Sequence, residues 1–544
     1  MMEPVLVILD VVWDVLDLKA VGIPLGDDHT RCKVVLTTRS QDVCTQMGVQ
    51  KIVAVEELDK QDAWDLFKEM AGGEAVYSGD LNHIAREVAD ECGGVPLVIV
   101  TIARALKNKN HYVWTDAARQ QKNSNTKYIP GLGKDVYPQL ELSFKYLDSE
   151  DAKYLFLLCC LFPRDRNIPI EDLTRYVMAL KMFEGVSTIE EARGRVYAVV
   201  STLADSFMLL DGSEEGFDKM HHVLRDVAIY ISSKHEKFRF KVMAGVRNWP
   251  DPQTFANYLA ISLISNNIYE LPGELQAPNL QTLRLQCNSQ LQIPDDFFQG
   301  SKDQLKCLEM SGIHFLPTLP PSLQLLSSTL RTLHLTSCKL GDISMIATLR
   351  RLEILSFCGS ALAVIPHNIA QLTRLRLLDL TNCVTLTKIV PGVIGELRKL
   401  EELYLPEFFE FHNLDELNFL SRLTRLQIRI DLLGINLYGC VLGLTSFNIT
   451  IGTPKNYTTP QFYKPNFYVC MRSLRITNDG PIQPSLLPDR IKFLLLEKTK
   501  NLVLDELKNF NNIFSELNQE GLNELMSLEL NFLKEMVYLV NTME

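Results

Sequence analysis

Apolar positions follow three different rhythms along the 544 residues. The first is a set of short, nearly unbroken runs: Val5-Leu6-Val7-Ile8-Leu9, Lys33-Val34-Val35-Leu36-Thr37-Thr38 and Ile52-Val53-Ala54-Val55. Runs of this kind form strands buried on both faces of a parallel sheet. A polar, helix-compatible stretch separates the first two, which is the alternation of an α/β domain. Three strands, with the chain starting on one of them, predict a nucleotide-type domain that lacks its first half.

The second rhythm is helical and runs from Asp62 to about Lys234. Ala63, Leu66, Phe67 and Met70 fall at i, i+3, i+4, i+7, and Ile84, Val88 and Cys92 continue the style. Gly93-Gly94 interrupts it, and Pro96 then opens another helix at a position where its missing N–H costs nothing. Further helices are predicted over 137–147, 150–161, 189–204 and about 222–233. Thr188 and Glu191 have the spacing of a capping box. Phe207–Leu210 and Phe217–Met220, joined through Asp211-Gly212, read as a hairpin. Helices closed by a small hairpin predict a winged-helix-like module.

The third rhythm starts near residue 256 and repeats. The template L-x-x-L-x-L begins at Tyr258, Leu280, Leu305, Leu330, Leu352, Leu375, Leu400 and Leu423, at steps of 22 to 25 residues. That period belongs to a leucine-rich-repeat solenoid. Weaker matches begin at Leu444, Met471, Ile491 and Leu525, and 451–468 reads as an irregular insertion. Leu271-Pro272, Ile293-Pro294, Leu316-Pro317, Ile365-Pro366 and Val390-Pro391 end the pairing and turn the chain to the convex side. Asn266, Asn288, Cys338 and Cys383 stand where a side chain bonds backbone in the neighbouring turn. The last match lies close to Glu544 with no polar capping unit, which predicts a shortened array.

Within each repeat the Leu positions point inward, and the residues between them line the concave face. Those residues are Arg284, Gln286, Glu309, His334, Thr336, Asp379, Thr381, Tyr404, Gln427 and Arg429. The set is mixed in charge and holds no catalytic pattern. The bland reading is a solvated polar face, and the functional one is a partner-binding surface.

The fold class expected is therefore an α/β remnant over 1–58, a helical subdomain over 59–135, a winged-helix-like subdomain over 136–250 and a solenoid over 256–544. Composition adds exclusions. Lys and Arg number 55 against 66 Asp and Glu, a net charge of −11, which argues against nucleic acid and anionic membrane as partners. Twelve Cys without a C-x-x-C pair predict reduced thiols and an intracellular, cytoplasmic protein. No run reaches the ~20 residues of a membrane span. Trp13, Trp64 and Cys159-Cys160 read as packing residues. His221 and His222, adjacent at a helix start, diverge by about 100° and do not share a metal.

Nucleotide switches need a Gly-rich phosphate cradle with Lys and an acidic residue after a buried strand. The motif G-x-x-x-x-G-K-[ST] does not occur in these residues. Asp10 ends the first apolar run, and Thr37-Thr38-Arg39 ends the second, where α/β ligands bind.

Five motifs then stand in order: Leu9-Asp10-Val11-Val12-Trp13, Thr37-Thr38-Arg39, Cys92-Gly93-Gly94-Val95-Pro96-Leu97, Cys159-Cys160-Leu161-Phe162-Pro163 and Met220-His221-His222. With repeats behind them, they resemble the plant NB-ARC leucine-rich-repeat disease-resistance proteins, most of all the coiled-coil class. The resemblance implies an intracellular immune receptor switched by ADP and ATP. It implies that Asp10 holds Mg²⁺, Arg39 senses the γ-phosphate, Pro96 packs near adenine and His221 reaches the ADP β-phosphate. It also implies that the repeats restrain the switch and recognise a pathogen effector or a guarded host protein.

Three departures go with it. The phosphate loop and the coiled-coil region are absent, position 11 is Val where the family has Asp, and position 222 is His where the family has Asp. Impaired nucleotide binding follows, with no enzyme activity of its own and oligomerisation only through the missing N-terminal parts. The alternatives are a non-signalling repeat scaffold or decoy and an active ATPase.

Overall fold

A computed structural model describes residues 5–23, 32–72, 79–122, 137, 141, 144–145, 147, 149–164, 166–234, 239–243, 249, 255–264, 268, 270–286, 291–430, 443–452, 472–477, 498–505 and 524–531. The chain divides into two units, residues 1–173 with 193–244 and residues 174–192 with 245–544.

In the first unit, β1 (Val5–Val12) and β2 (Cys32–Thr38) pair in parallel from Val5↔Cys32 to Leu9↔Leu36. Helix α1 (Gln41–Gln46) follows β2. These strands are not buried on both faces as their sequence predicts: Leu6 and Ile8 are 59% and 66% exposed. The third run, Ile52–Val55, is not a strand, and Val55 is 96% exposed. An apolar run becomes a buried strand only with a partner edge and a covering layer, and among the described residues this sheet has two strands.

Four helices come next. α2 (Lys60–Ala71) is capped by Asp59, whose carboxylate accepts from the Gln61 and Asp62 N–H groups. It buries Ala63, Trp64, Phe67 and Ala71, so its buried stripe is turned slightly from the predicted one, with Leu66 and Met70 half-buried. α3 (Gly79–Asp90), α4 (Pro96–Leu106) and α5 (His111–Lys122) supply Ala85, Val88, Ile99, Ile102 and Trp114 to the same core. Pro96 opens α4 as expected. The predicted helix over 137–147 falls largely outside the described residues.

The winged-helix-like part comprises α6 (Glu150–Cys159), α7 (Ile170–Leu180), α8 (Ile189–Asp205) and α9 (His222–Lys234). A small antiparallel sheet accompanies them, in the order β3 (Asn167–Pro169), β5 (Phe217–Lys219), β4 (Leu210–Asp211). The predicted hairpin is β4 and β5. Cys159 and Cys160 are buried, free thiols; burial pushes Cys160 up to about 12, as a packing role requires. β6 (Phe240–Met243) follows α9.

The second unit is a parallel ladder in strict chain order. Its strands are β7 (Ala260–Leu263), β8 (Thr282–Gln286), β9 (Cys307–Ser311), β11 (Thr332–Thr336), β13 (Ile354–Ser356), β15 (Leu377–Asp379), β17 (Glu402–Tyr404) and β18 (Arg425–Ile430). β19 (Ser446–Ile451), β20 (Arg472–Thr477), β21 (Asn501–Asp505) and β22 (Ser527–Asn531) continue it. All eight strong matches carry a strand. Every inward Leu from Leu280 to Leu405 is fully buried or nearly so, which supplies the driving force for stacking. Cys383 Sγ bonds the Phe357 carbonyl at 3.1 Å, and Cys338 bonds Met310 and Thr336, as the ladder position predicts. Asn266 and Asn288 lie outside the described residues.

On the outer side, β10 (His314–Thr318) pairs with β12 (Lys339–Asp342), and β14 (Val364–Ile365) pairs with β16 (Lys388–Ile389). β14 stops just before Pro366, but Pro317 lies within β10. β10 pairs on one edge only, where a missing N–H is tolerated. The predicted repeat at Ile491 and most of the 451–468 insertion fall outside the described residues. β21 was not predicted.

Candidate functional site

The first group of motif residues gathers at the end of β1 and β2. The Thr37 hydroxyl donates to the Asp10 carboxylate at 2.6 Å and accepts the Val11 N–H at 2.8 Å. Thr37 thus ties two consecutive residues of the neighbouring strand end. Arg39 does not project freely: its guanidinium sits 5.4 Å from the centre of the Trp13 ring, a cation–π arrangement. Trp13 therefore does more than fill space.

The second group centres on the glycine turn after α3. His221 Nε2 lies 3.2 Å from the Gly93 carbonyl, and the Val223 N–H donates to His221 Nδ1 at 3.2 Å. A nitrogen that accepts an N–H carries no proton, so the hydrogen of His221 is on Nε2 and is donated to Gly93. His222 Nε2 donates to the Glu91 carbonyl at 3.1 Å, an acceptor left over at the end of α3. The two rings do not diverge. They stack with centroids 4.4 Å apart and planes 24° from parallel, because His221 precedes the helix that His222 opens. Gly93 and Gly94 have φ of 60° and 69°. A Cβ on Gly93 would stand 2.5 Å from the His222 ring, and one on Gly94 would stand 2.5 Å from the Leu58 carbonyl. Both glycines are required by backbone angle and by close approach. Pro96 is exposed at the first turn of α4.

The residues present fit a nucleotide incompletely. Asp10 is one exposed carboxylate, a donor of the kind that reaches Mg²⁺ alongside water and phosphate oxygens. Among the described residues no group of three or more His, Cys, Asp or Glu could hold a metal. Consecutive backbone N–H groups with a Lys, which bind phosphate most strongly, have no counterpart in the sequence.

The concave face of the repeats is the third group. Of the residues predicted to line it, Glu309, His334, Asp379, Thr381, Tyr404, Gln427 and Arg429 are buried, Arg284 and Thr336 are half-buried, and Gln286 is exposed. The covering segment is 174–192, which belongs to the same unit. Arg175 Nη2 bonds Asp379 Oδ2 at 3.1 Å, and the Tyr176 hydroxyl donates to Glu309. Glu309 also pairs with Arg284 at 3.0 Å, and Ser356 donates to Asp379 at 3.0 Å. Burial, with Arg175 and Arg284 beside it, pushes the His334 pKa well down and keeps the ring neutral.

Further along, Glu401 accepts the Ile189 N–H at 2.8 Å, Arg376 donates to the Ser187 carbonyl at 2.6 Å, and Arg425 pairs with Glu190 at 3.1 Å. Met178, Ile189 and Ala192 pack with Ile354, Leu377 and Tyr404. Ile354 and Leu377 were missed as concave residues. Their signal is legible: each is an apolar side chain at an outward position, in adjacent repeats. Gln427 and Arg429 instead donate to backbone carbonyls of Leu405, Gly452 and Phe408.

Residues 2–76 match the NB-ARC domain. The Arabidopsis thaliana disease resistance protein At4g27190 is 33% identical over 405 residues, 73% of this chain and 41% of that protein. Disease resistance protein UNI, from the same plant, is 30% identical over 75% of this chain and 46% of its own length. RFL1, also from that plant, is 31% identical over 78% of this chain and 43% of its own length. The chain thus spans less than half the length of these relatives. No helix among the described residues is long and apolar enough to cross a membrane. An aligned stretch of 405 residues is too long to fit inside either unit, so the likeness reaches both. The chain belongs to the family of plant NB-ARC disease-resistance proteins.

Proposed function

We propose that this chain is the regulatory and recognition portion of a cytoplasmic plant immune receptor. Its repeats engage a pathogen effector or a guarded host protein, and its α/β remnant belongs to an ADP/ATP switch whose grip is weakened here. One observation carries the recognition half: a long parallel ladder lies downstream of the NB-ARC segment, and its concave face leaves Gln286 exposed and Arg284 and Thr336 half-exposed. Solenoids of this kind offer extended concave surfaces for macromolecules. The weakened grip rests on the Asp10 carboxylate tied to Thr37 and on Arg39 stacked over Trp13. The chain is read as a switch component without catalysis of its own.

Leaves expressing the chain are expected to restrict a pathogen strain that grows on control leaves. Unchanged growth across a panel of strains would favour a repeat scaffold or decoy instead. Isothermal titration of the purified chain with ADP, and with ATP and Mg²⁺, is expected to give no submicromolar binding. A submicromolar constant would overturn the weakened grip. Steady hydrolysis abolished by Asp10→Ala would establish an ATPase.

A further inference from the structure

Four consecutive repeats enter their strands through the same turn. Leu349-Arg350-Arg351-Leu352, Leu372-Thr373-Arg374-Leu375, Leu397-Arg398-Lys399-Leu400 and Leu420-Ser421-Arg422-Leu423 each bury both leucines and expose both central residues. In every one the N–H of the second leucine donates to the carbonyl of the first, at 2.9 to 3.1 Å. With the flanking side chains committed to the core, the central pair faces solvent. Ile354, Leu377, Glu402 and Arg425 pair in register. Arg351, Arg374, Lys399 and Arg422 each stand three residues earlier, so they form a row at the strand spacing of about 4.8 Å, roughly 14 Å long. Arg350 and Arg398 lie beside it.

The eight central positions thus hold six cations and no acid, in a chain of net charge −11. Arg350 donates to Gln371 at 2.7 Å, and Arg398 lies 6.0 Å from the centre of the Phe419 ring. Among the described residues no ion pair joins any of the six to an acid. The acids close by are engaged elsewhere: Glu353 and Glu401 pair with Arg376, and Glu416 accepts the Gly392 and Gly395 N–H groups. Glu396 is exposed next to the third turn. Like charges held in a row repel one another, and anions set at the same spacing relieve that repulsion.

We infer that this edge of the solenoid docks an acidic α-helix of a partner protein, with carboxylates in one stripe at i, i+4, i+7 and i+11. The inference rests on the reading of the repeats as a recognition surface and adds a contact outside the concave face. One helical turn rises 5.4 Å, close to the ladder spacing, so each turn of the helix sets one carboxylate against one repeat. A slim helix feels the charges within a Debye length, about 8–10 Å, and here those are the cations; a bilayer or a long nucleic acid also meets the acidic remainder of the chain. Single-stranded nucleic acid further calls for a row of aromatic platforms, and this edge offers Phe419, which already lies under Arg398.

The probe is a fluorescent Ala-based helical peptide with that Glu stripe, titrated into the full chain at low salt. Arg351→Ala with Arg374→Ala, Lys399→Ala and Arg422→Ala is expected to weaken binding at least ten-fold. Lys51→Ala with Lys109→Ala, Lys339→Ala and Lys388→Ala removes as many charges from other exposed positions and is expected to leave affinity unchanged. A peptide of the same composition with its Glu spread around the helix is expected to bind at least ten-fold more weakly. Equal losses in the two variants, or equal binding of the two peptides, overturns the inference. So does tighter binding of oligothymidylate or of phosphatidylserine vesicles through the same four residues.

A charge swap gives a gain that misfolding cannot imitate. The chain carrying Arg351→Glu, Arg374→Glu, Lys399→Glu and Arg422→Glu is expected to lose the Glu-striped peptide and to bind its Lys-striped counterpart; failure to bind the counterpart overturns the inference. A chain that restricts pathogen growth in leaves but fails the peptide titration refutes the edge site alone and leaves the immune reading standing.

Discussion

Single residues carry much of the local logic, and some of it is visible only in three dimensions. Val11 has a φ of 55°, a conformation in which Asp, Asn and Gly are at home and a β-branched residue is strained. Asp218 is a second case. It stands directly across the antiparallel pair from Asp211, and burial followed by that neighbour raises its pKa from 3.8 to about 6. A carboxyl with a raised folded pKa favours the fold while protonated. Its contribution is complete below about pH 4 and is lost as pH rises through about 6. Asp218→Asn should therefore raise the melting temperature at pH 7.5 by about 2–4 °C and flatten the pH dependence between pH 4 and pH 6. A lower melting temperature at pH 7.5 would show that the charged carboxylate is needed. Neither feature could be read beforehand: the first is a backbone angle, and the second depends on which residue lies opposite. Motif order alone singled out Asp10, Gly93 and His221, and the structure sets Asp10 against Thr37 and His221 against Gly93. The stacking of His221 on His222 was not legible, because it depends on where a helix starts.

Elements were legible in proportion to how often their pattern recurs. A Leu template in phase over eight turns leaves little freedom, and every turn formed a strand. β21 escaped because Leu502 and Leu504 follow a stretch in which Ile491, Leu494 and Leu496 offer the same template. Ile52–Val55 was misread because composition indicates burial but cannot supply a partner edge. The start of α8 was read correctly down to its bonds. Thr188 Oγ1 accepts the Glu191 N–H at 3.1 Å, and the Glu191 carboxylate accepts the Thr188 and Ser187 N–H groups at 3.0 and 2.7 Å. Those N–H groups hold Glu191 below its ordinary pKa. Thr188→Ala removes the reciprocal bond and should cost about 1 kcal/mol. Exchange of the Glu191 and Ala192 amides reports the loss; unchanged exchange at both would mean that the Glu401 bond to Ile189 suffices to start the helix.

At the scale of the solenoid, the question is how far a local lesion travels. A plain repeat array responds through nearest neighbours, so damage stays close to its origin. Segment 174–192 alters that expectation, since it is bonded to Glu309 near one end and to Arg425 near the other, with Asp379 and Glu401 between. It straps β9 to β15, β17 and β18, which pair with one another but not with β9. β20, β21 and β22 have no described bond to it. Leu378 is fully buried in β15, and Leu378→Ala should cost about 2–5 kcal/mol. Hydrogen exchange after that substitution should accelerate from β9 through β18 as one block, while β20 to β22 keep their protection. Acceleration confined to β13, β15 and β17 would return the molecule to nearest-neighbour behaviour. Uniform acceleration out to β22 would mean that the ladder itself, without the strap, folds as one cooperative body.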